Sequence, residues 1–214
     1  SHEEIIRAAY GIVLEARATA VFANDAQNLK QKYAVTKERG IHPLKQEDLA
    51  EWIWEMLNDA YYSTTFVGEP EASSESIHKL RLWIKHYYHH FFAVETGLIF
   101  GTVAVRHKSG FITTGRGKRE LDSIVCVTNV DHSERLVYVT GNAKASLNAP
   151  LLSRIFENPR VDTIVHYHEQ VLDLPTYPYA PPASVRDTER PNTTSFNIKE
   201  HGCMLLCDKA GRQL

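Results

Sequence analysis

The hydrophobic period of this chain changes near Gly97. Upstream, apolar residues recur every three or four positions; downstream, they fall in short β-branched runs separated by turn residues. One face of a helix produces the first pattern and a strand produces the second. Helices followed by a run of strands is the signature of an α+β fold, in which helices cover a sheet.

Upstream, Ile5, Ile6, Ala9, Val13, Ala16, Ala20 and Val21 share one helical face, and Ser1 and Glu4 stand at capping-box spacing. His42-Pro43 marks a break. Leu49, Trp52, Ile53, Met56, Leu57 and Ala60 predict a second helix, and residues 63–74 read as a loop. A third helix is predicted from Ser74 to Glu95, stopped by Gly97. Downstream, strands are predicted at 98–106, 110–114, 123–129, 135–140 and 161–168, with late strands at 196–198 and 203–206. One helix, 147–156, interrupts them with Ser146 as its N-cap, and the proline-rich stretch 173–192 reads as irregular. The domain division this implies is an N-terminal helical extension, 1–62, and a sheet domain, 74–214.

Charge narrows the partners. Twenty-four basic and 26 acidic residues leave a formal net charge of −2, which argues against nucleic-acid or membrane binding by bulk electrostatics. The most apolar stretch, Phe91 to Val105, is broken by Glu95, Thr96 and Thr102, so no transmembrane span is expected. The opening Ser1-His2-Glu3-Glu4 does not read as a signal peptide. Cys126, Cys203 and Cys207 form neither a disulfide framework nor a thiolate zinc motif, and the expected setting is cytoplasmic.

Eleven histidines are the unusual number. His166 and His168 flank Tyr167 near a strand end, where residues two apart share a face and both imidazoles can reach one metal ion. The bland alternative is a solvent-facing strand edge. His86, His89 and His90 also have ligand-like spacing, but in an aromatic-rich helix they read as a packed or surface face. Three loops look able to hold an anion: Phe100-Gly101-Thr102, Thr113 to Lys118, and Gly141 to Ser146 at a helix start. The second is not a Walker A loop, because Arg119 rather than Ser or Thr follows Lys118.

Taken in order over residues 75–207, these pieces resemble the class II aldolase/adducin family. The family's Gly-Asn-x-Ser-x-Arg strand reads here Gly101-Thr102-Val103-Ala104-Val105-Arg106, and its Ile-Thr-Pro-x-Gly loop reads Ile112-Thr113-Thr114-Gly115. Its Pro-Ser-Ser-Glu loop falls on Lys144-Ala145-Ser146-Leu147, its His-x-His strand on His166 and His168, and its His-Gly pair on His201-Gly202. The resemblance implies a three-layer α/β/α fold with a central, mainly antiparallel sheet flanked by helices. It implies that His166, His168 and His201 bind a divalent metal ion, zinc foremost. It places a phosphate pocket at Thr102, Thr113, Gly115 and Ser146, with Lys118 beside it, and a proton-donating tyrosine at Tyr179, reaching across a subunit interface. The implied activity is a metal-dependent carbon–carbon lyase acting on a small molecule, a sugar phosphate or a hydroxy-carbonyl acid, in a homo-oligomer, a tetramer by resemblance.

One departure bears on chemistry. The family's catalytic glutamate falls on Leu147, which can neither take a proton nor bind a metal. Glu157 and Glu169 are the candidate replacements, and Asn148 could orient a substrate hydroxyl. The loss keeps two other readings open: a non-catalytic, adducin-like scaffold, and a metal lyase of altered chemistry such as a decarboxylase or dehydratase.

Overall fold

A computed structural model describes residues 2–16, 20–25, 28–36, 41–44, 61–68, 72–91, 97–108, 110–121, 123–141, 143–190 and 193–214. The chain divides into two compact units, Ser1–Asp59 and Ala60–Leu214.

In the first unit, helix α1 (His2–Glu15) buries Ile6, Ala9, Tyr10 and Val13, the face expected from their spacing. The helix does not run on through Ala20 and Val21. Those residues open β1 (Ala20–Asp25), which pairs antiparallel with β2 (Asn28–Thr36), itself paired with β3 (Ile41–Leu44). The 1–62 segment is therefore not the all-helical extension expected. Val21 and Phe22 lose rotamer freedom in a helix and suit a pleated surface, and Tyr33, Ala34 and Val35 of β2 are buried. Pro43 is compatible with β3 because that strand lies at the sheet's edge. The helix expected at 49–60 lies outside the described residues, as does Ser1.

The second unit is built on a nine-stranded mixed sheet. Its strands are β4 (Ser63–Phe66), β5 (Thr102–His107), β6 (Gly110–Thr114), β7 (Ile124–Asp131), β8 (Leu136–Thr140), β9 (Thr163–Tyr167), β10 (Thr176–Tyr177), β11 (Phe196–Ile198) and β12 (Gly202–Cys207). The spatial order is β10-β11-β12-β9-β5-β6-β7-β8-β4. The inner pairs are antiparallel, and only the outermost pairs, β10–β11 and β4–β8, are parallel. Residues 63–66 were expected to lie in a loop; their Thr-Thr-Phe run instead pairs with β8, with Thr65 opposite Tyr138.

Alternation along the strands sends neighbouring residues to opposite faces. Val103, Val105, Ile112, Cys126, Val165 and Leu205 meet Leu80 and Ile84 of helix α2 (Ser74–His86). Ala104, Phe111, Val127, Ile164, Met204 and Leu206 meet Leu151, Leu152 and Ile155 of helix α3 (Ala149–Phe156). Complete burial of each such Leu or Ile contributes about 1.5–3 kcal/mol. The unit is thus a mixed sheet with few helices, one on each face among the described residues.

Two helix ends differ from expectation. Helix α2 begins as predicted, with the Ser73 hydroxyl accepting from the Ser76 N–H at 3.2 Å, but it ends at His86 rather than Glu95. A single 3-10 turn, Tyr88–His90, follows, because His90 stacks on Tyr167 at 4.4 Å and bonds Glu169 at 2.8 Å. Helix α3 begins at Ala149, with Pro150 in its first turn and Asn148 at the cap position; Ser146 instead accepts from the Asn148 N–H at 3.3 Å. The 173–192 stretch carries more order than expected: β10 and a 3-10 turn, Arg186–Thr188.

Candidate metal centre

Strand β9 lies between β5 and β12, with His166 opposite Thr102 on one side and Met204 on the other. Alternation turns His166 toward the α3 face, where it is 1% exposed, and His168 follows one residue beyond the strand. His201 arrives from the turn between β11 and β12. Gly202 makes that approach possible: its φ is +107°, and a Cβ there would run into the Tyr167 carbonyl oxygen and lie 2.6 Å from His168 Cα. Only glycine combines this backbone conformation with so close a crossing.

The result is a compact imidazole cluster. The ring centroids of His166 and His168 lie 5.0 Å apart, those of His166 and His201 5.1 Å, and those of His168 and His201 4.8 Å. One ligand nitrogen from each ring lies within 4.8 Å of the other two. Ligand nitrogens around tetrahedral zinc stand about 3.3 Å apart, so small ring rotations bring the three onto one ion. His166 Nδ1–H donates to the Cys203 carbonyl at 2.8 Å, which aims the Nε2 lone pair into the cluster; Nε2 is buried with no hydrogen-bond partner. Burial, reinforced by the nearby Lys118 ammonium, pushes the His166 pKa down to about 4 against the pull of the Cys203 bond. The ring is therefore neutral at pH 7, the protonation state that ligates a metal. A buried imidazole nitrogen aimed at two others, with its second nitrogen on a backbone carbonyl, fits a divalent ion of intermediate softness.

The three loops marked in the sequence converge beside this cluster. Thr102 and Ser146 hydroxyls bond each other at 2.8 Å, Gly115 bridges to Ala145, and Lys118 Nζ donates to the Gly101 carbonyl at 2.5 Å. Thr113 differs from expectation: its hydroxyl is fully buried and donates to the Val103 carbonyl at 3.0 Å, so it supports the sheet. The Gly115 N–H is likewise engaged, bonding the Ser123 carbonyl at 2.7 Å. Lys118 is only 7% exposed, and burial lowers its pKa to about 8.

Tyr179 packs against His201 of its own chain in a T-shaped contact, with ring centroids 5.5 Å apart. The loop is pinned locally. Strand β10 pairs with β11, Tyr177 packs on Phe196 at 5.6 Å, and Arg190 donates to the Pro178 carbonyl at 2.8 Å. Leu147 is half-buried, and the two candidate replacement carboxylates are engaged elsewhere: Glu157 with Arg154 at 2.9 Å and Glu169 with His90 at 2.8 Å.

Sequence reasoning missed two supports. His90, read as part of a packed face, clamps the Tyr167–Glu169 segment that carries His168. The buried Asp187–Arg190 pair, 2.9 Å apart, steadies the Pro178 carbonyl beside Tyr179. An Asp and an Arg three apart in a short apolar-flanked turn were the only signal for the latter.

No protein-family model matches the chain, and no curated protein matches it. Among solved structures, an L-fuculose 1-phosphate aldolase overlaps 64% of this chain and 77% of its own, at 16% identity and TM-score 0.46. An L-fuculose-1-phosphate aldolase from Thermus thermophilus overlaps 65% of this chain and 83% of its own, at 14% identity and TM-score 0.44. An L-fuculose 1-phosphate aldolase from Glaciozyma antarctica overlaps 65% and 69%, at 13% identity and TM-score 0.42. Likeness of this degree assigns the chain no activity.

Proposed function

We propose that this chain is a divalent-metal-dependent lyase of aldolase type, acting on a sugar phosphate or a related hydroxy-carbonyl compound. The observation that carries the reading is the convergence of His166, His168 and His201 around a buried, unpartnered Nε2. Zinc held by three imidazoles with a fourth position open supplies Lewis acidity toward carbonyl and hydroxyl oxygens. In this chain the Cys203 carbonyl fixes the His166 tautomer, and Lys118 with the Thr102–Ser146 hydroxyl pair draws the anionic end of the substrate. Tyr179, whose ring packs against His201, is the proton donor in this reading. Phe100 lies edge-on to His168, with ring centroids 5.7 Å apart, and supplies an apolar neighbour to the cluster. A class II aldolase-like α/β/α layering, a homo-oligomer and a cytoplasmic location belong to the same reading. Light scattering tests the oligomer, and a monomer at micromolar concentration contradicts it.

Leu147 supports a second reading. With no glutamate there, and with Glu157 and Glu169 paired elsewhere, no carboxylate among the described residues stands ready as the base for enolisation. A lyase of altered chemistry, or a non-catalytic module on the same fold, fits that observation. Metal quantification on protein purified without a polyhistidine tag separates these. About one equivalent per chain, lost in His166→Ala, His168→Ala and His201→Ala, supports the enzyme; none supports the scaffold.

A further inference from the structure

The loops beside the histidine cluster read in sequence as a phosphate cradle, but several of their donors are spent inside the fold. Gly115 N–H bonds the Ser123 carbonyl at 2.7 Å, and Arg116 N–H bonds the Lys144 carbonyl at 2.9 Å. The Thr113 hydroxyl is turned into the sheet against Val103. At the start of α3, Asn148 N–H bonds the Ser146 hydroxyl at 3.3 Å and Ala149 N–H bonds the Ser146 carbonyl at 3.0 Å. Pro150, next in line, has no N–H. A phosphate monoester dianion presents three terminal oxygens and is normally met by several converging backbone N–H groups. The N–H groups of Gly115, Arg116, Asn148 and Ala149 are therefore not free to build such an array.

What remains is smaller and differently charged. Lys118 carries three N–H donors, and among the described residues its side chain donates to the Gly101 carbonyl alone. No carboxylate among the described residues pairs with it, although it is 7% exposed. A buried cation without a counter-ion is costly unless an anion completes it. The Thr102–Ser146 pair, 2.8 Å apart, uses one hydroxyl hydrogen internally and leaves one to donate. Thr102 sits opposite His166 in the β5–β9 register, so these donors lie on the same wall as the imidazole cluster.

We propose that the anionic end of the ligand is a carboxylate, not a phosphate: the site takes a compact 2-oxo or 2-hydroxy acid, its carboxylate on Lys118 and the Thr102–Ser146 hydroxyls. This rests on the metal-lyase reading and narrows its substrate class. Such an acid carries its carbonyl or hydroxyl oxygen next to the carboxylate, which matches a site where the ammonium and the imidazoles share one wall. One ammonium and one hydroxyl supply about the two to three donors a carboxylate needs.

The test is calorimetric titration of zinc-loaded and chelator-treated protein with pyruvate and glycolate, against dihydroxyacetone phosphate and inorganic phosphate. Pyruvate or glycolate is expected to bind zinc-loaded protein at least about tenfold more tightly than either phosphate compound. Lys118→Met is expected to weaken that binding by about 10- to 100-fold. Lys118→Gln, which keeps a donor for the Gly101 carbonyl, serves the same purpose if Lys118→Met does not fold. Tighter binding of dihydroxyacetone phosphate or phosphate overturns the proposal, as does binding of pyruvate and glycolate that is absent or indifferent to both Lys118 variants. The zinc content of the same samples reports separately on the parent reading. Protein that takes up no zinc but binds pyruvate through Lys118 sinks the metal-lyase function and upholds the carboxylate site.

Discussion

Gly202→Ala probes the crossing that brings His201 to the other two histidines. The residue has φ +107°, and an added Cβ would meet the Tyr167 carbonyl oxygen and lie 2.6 Å from His168 Cα. Holding an L-residue in that backbone region costs about 1–3 kcal/mol. Displacing a packed strand end by an extra carbon costs a further 1–3 kcal/mol or so. The sum, about 4 kcal/mol, lowers the melting temperature by roughly 8–16 °C in a domain of this size. Gly117→Ala is the matched control: φ is +62°, but nothing lies within 4 Å of the added carbon, so only the backbone cost of about 1 kcal/mol applies. Scanning calorimetry of both variants reads the difference, and zinc uptake reads its local consequence, since the clash is relieved by moving His201 away from His168. If Gly202→Ala melts within about 2 °C of Gly117→Ala and takes up zinc normally, the close crossing does not hold the cluster together.

Asp187 is buried, and desolvation raises its pKa to about 6 despite Arg190 beside it. Its folded-state pKa is above the unfolded value, so its contribution to stability is greatest below about pH 4 and is lost as pH rises toward 6. Urea titrations should therefore show Asp187→Asn gaining on wild type by on the order of 1–3 kcal/mol between pH 4 and 6.5; a constant gap counts against a raised pKa. Lys118 is depressed to about 8 by burial, so wild type gains stability as pH rises from 8 toward its ordinary range. Lys118→Met should lack that rise, and an identical slope in the two proteins contradicts a buried ammonium. Zinc at 100 times its dissociation constant should stabilise the wild type by about 2.7 kcal/mol, while His201→Ala should show no such gain in the same melts.

The sheet was legible because its strands are short, β-branched and punctuated, so β5 to β9, β11 and β12 fall close to their expected places. The core faces of α1 and α2 were equally plain in their three-to-four spacing. Strands β1 to β3 were not, because Lys and Gln interrupt their alternation and Pro43 argued for a break. The end of α2 was hidden for a tertiary reason: the aromatic and histidine run continues the helical pattern, and only the Tyr167–Glu169 segment turns His90 out of it. At the candidate site, the meeting of His166, His168 and His201 could be anticipated from motif order. The engagement of Thr113 and Gly115 inside the fold could not, since residue type does not say which partner a hydroxyl or an amide finds. Tyr179 packing on its own chain's His201 likewise depends on β10 pairing in parallel with β11, a two-residue strand without a sequence signal.

X-ray absorption at the zinc edge of the zinc-loaded, tag-free protein addresses the central claim most directly, because it reads ligand type, number and distance at once. The expected spectrum is that of one zinc per chain bound by three imidazole nitrogens at about 2.0–2.1 Å, with a light atom completing a four-coordinate shell. His168→Ala should lose one imidazole from that signal. A spectrum with sulfur at about 2.3 Å, with no imidazole scattering, or unchanged by His168→Ala would contradict a centre built on His166, His168 and His201.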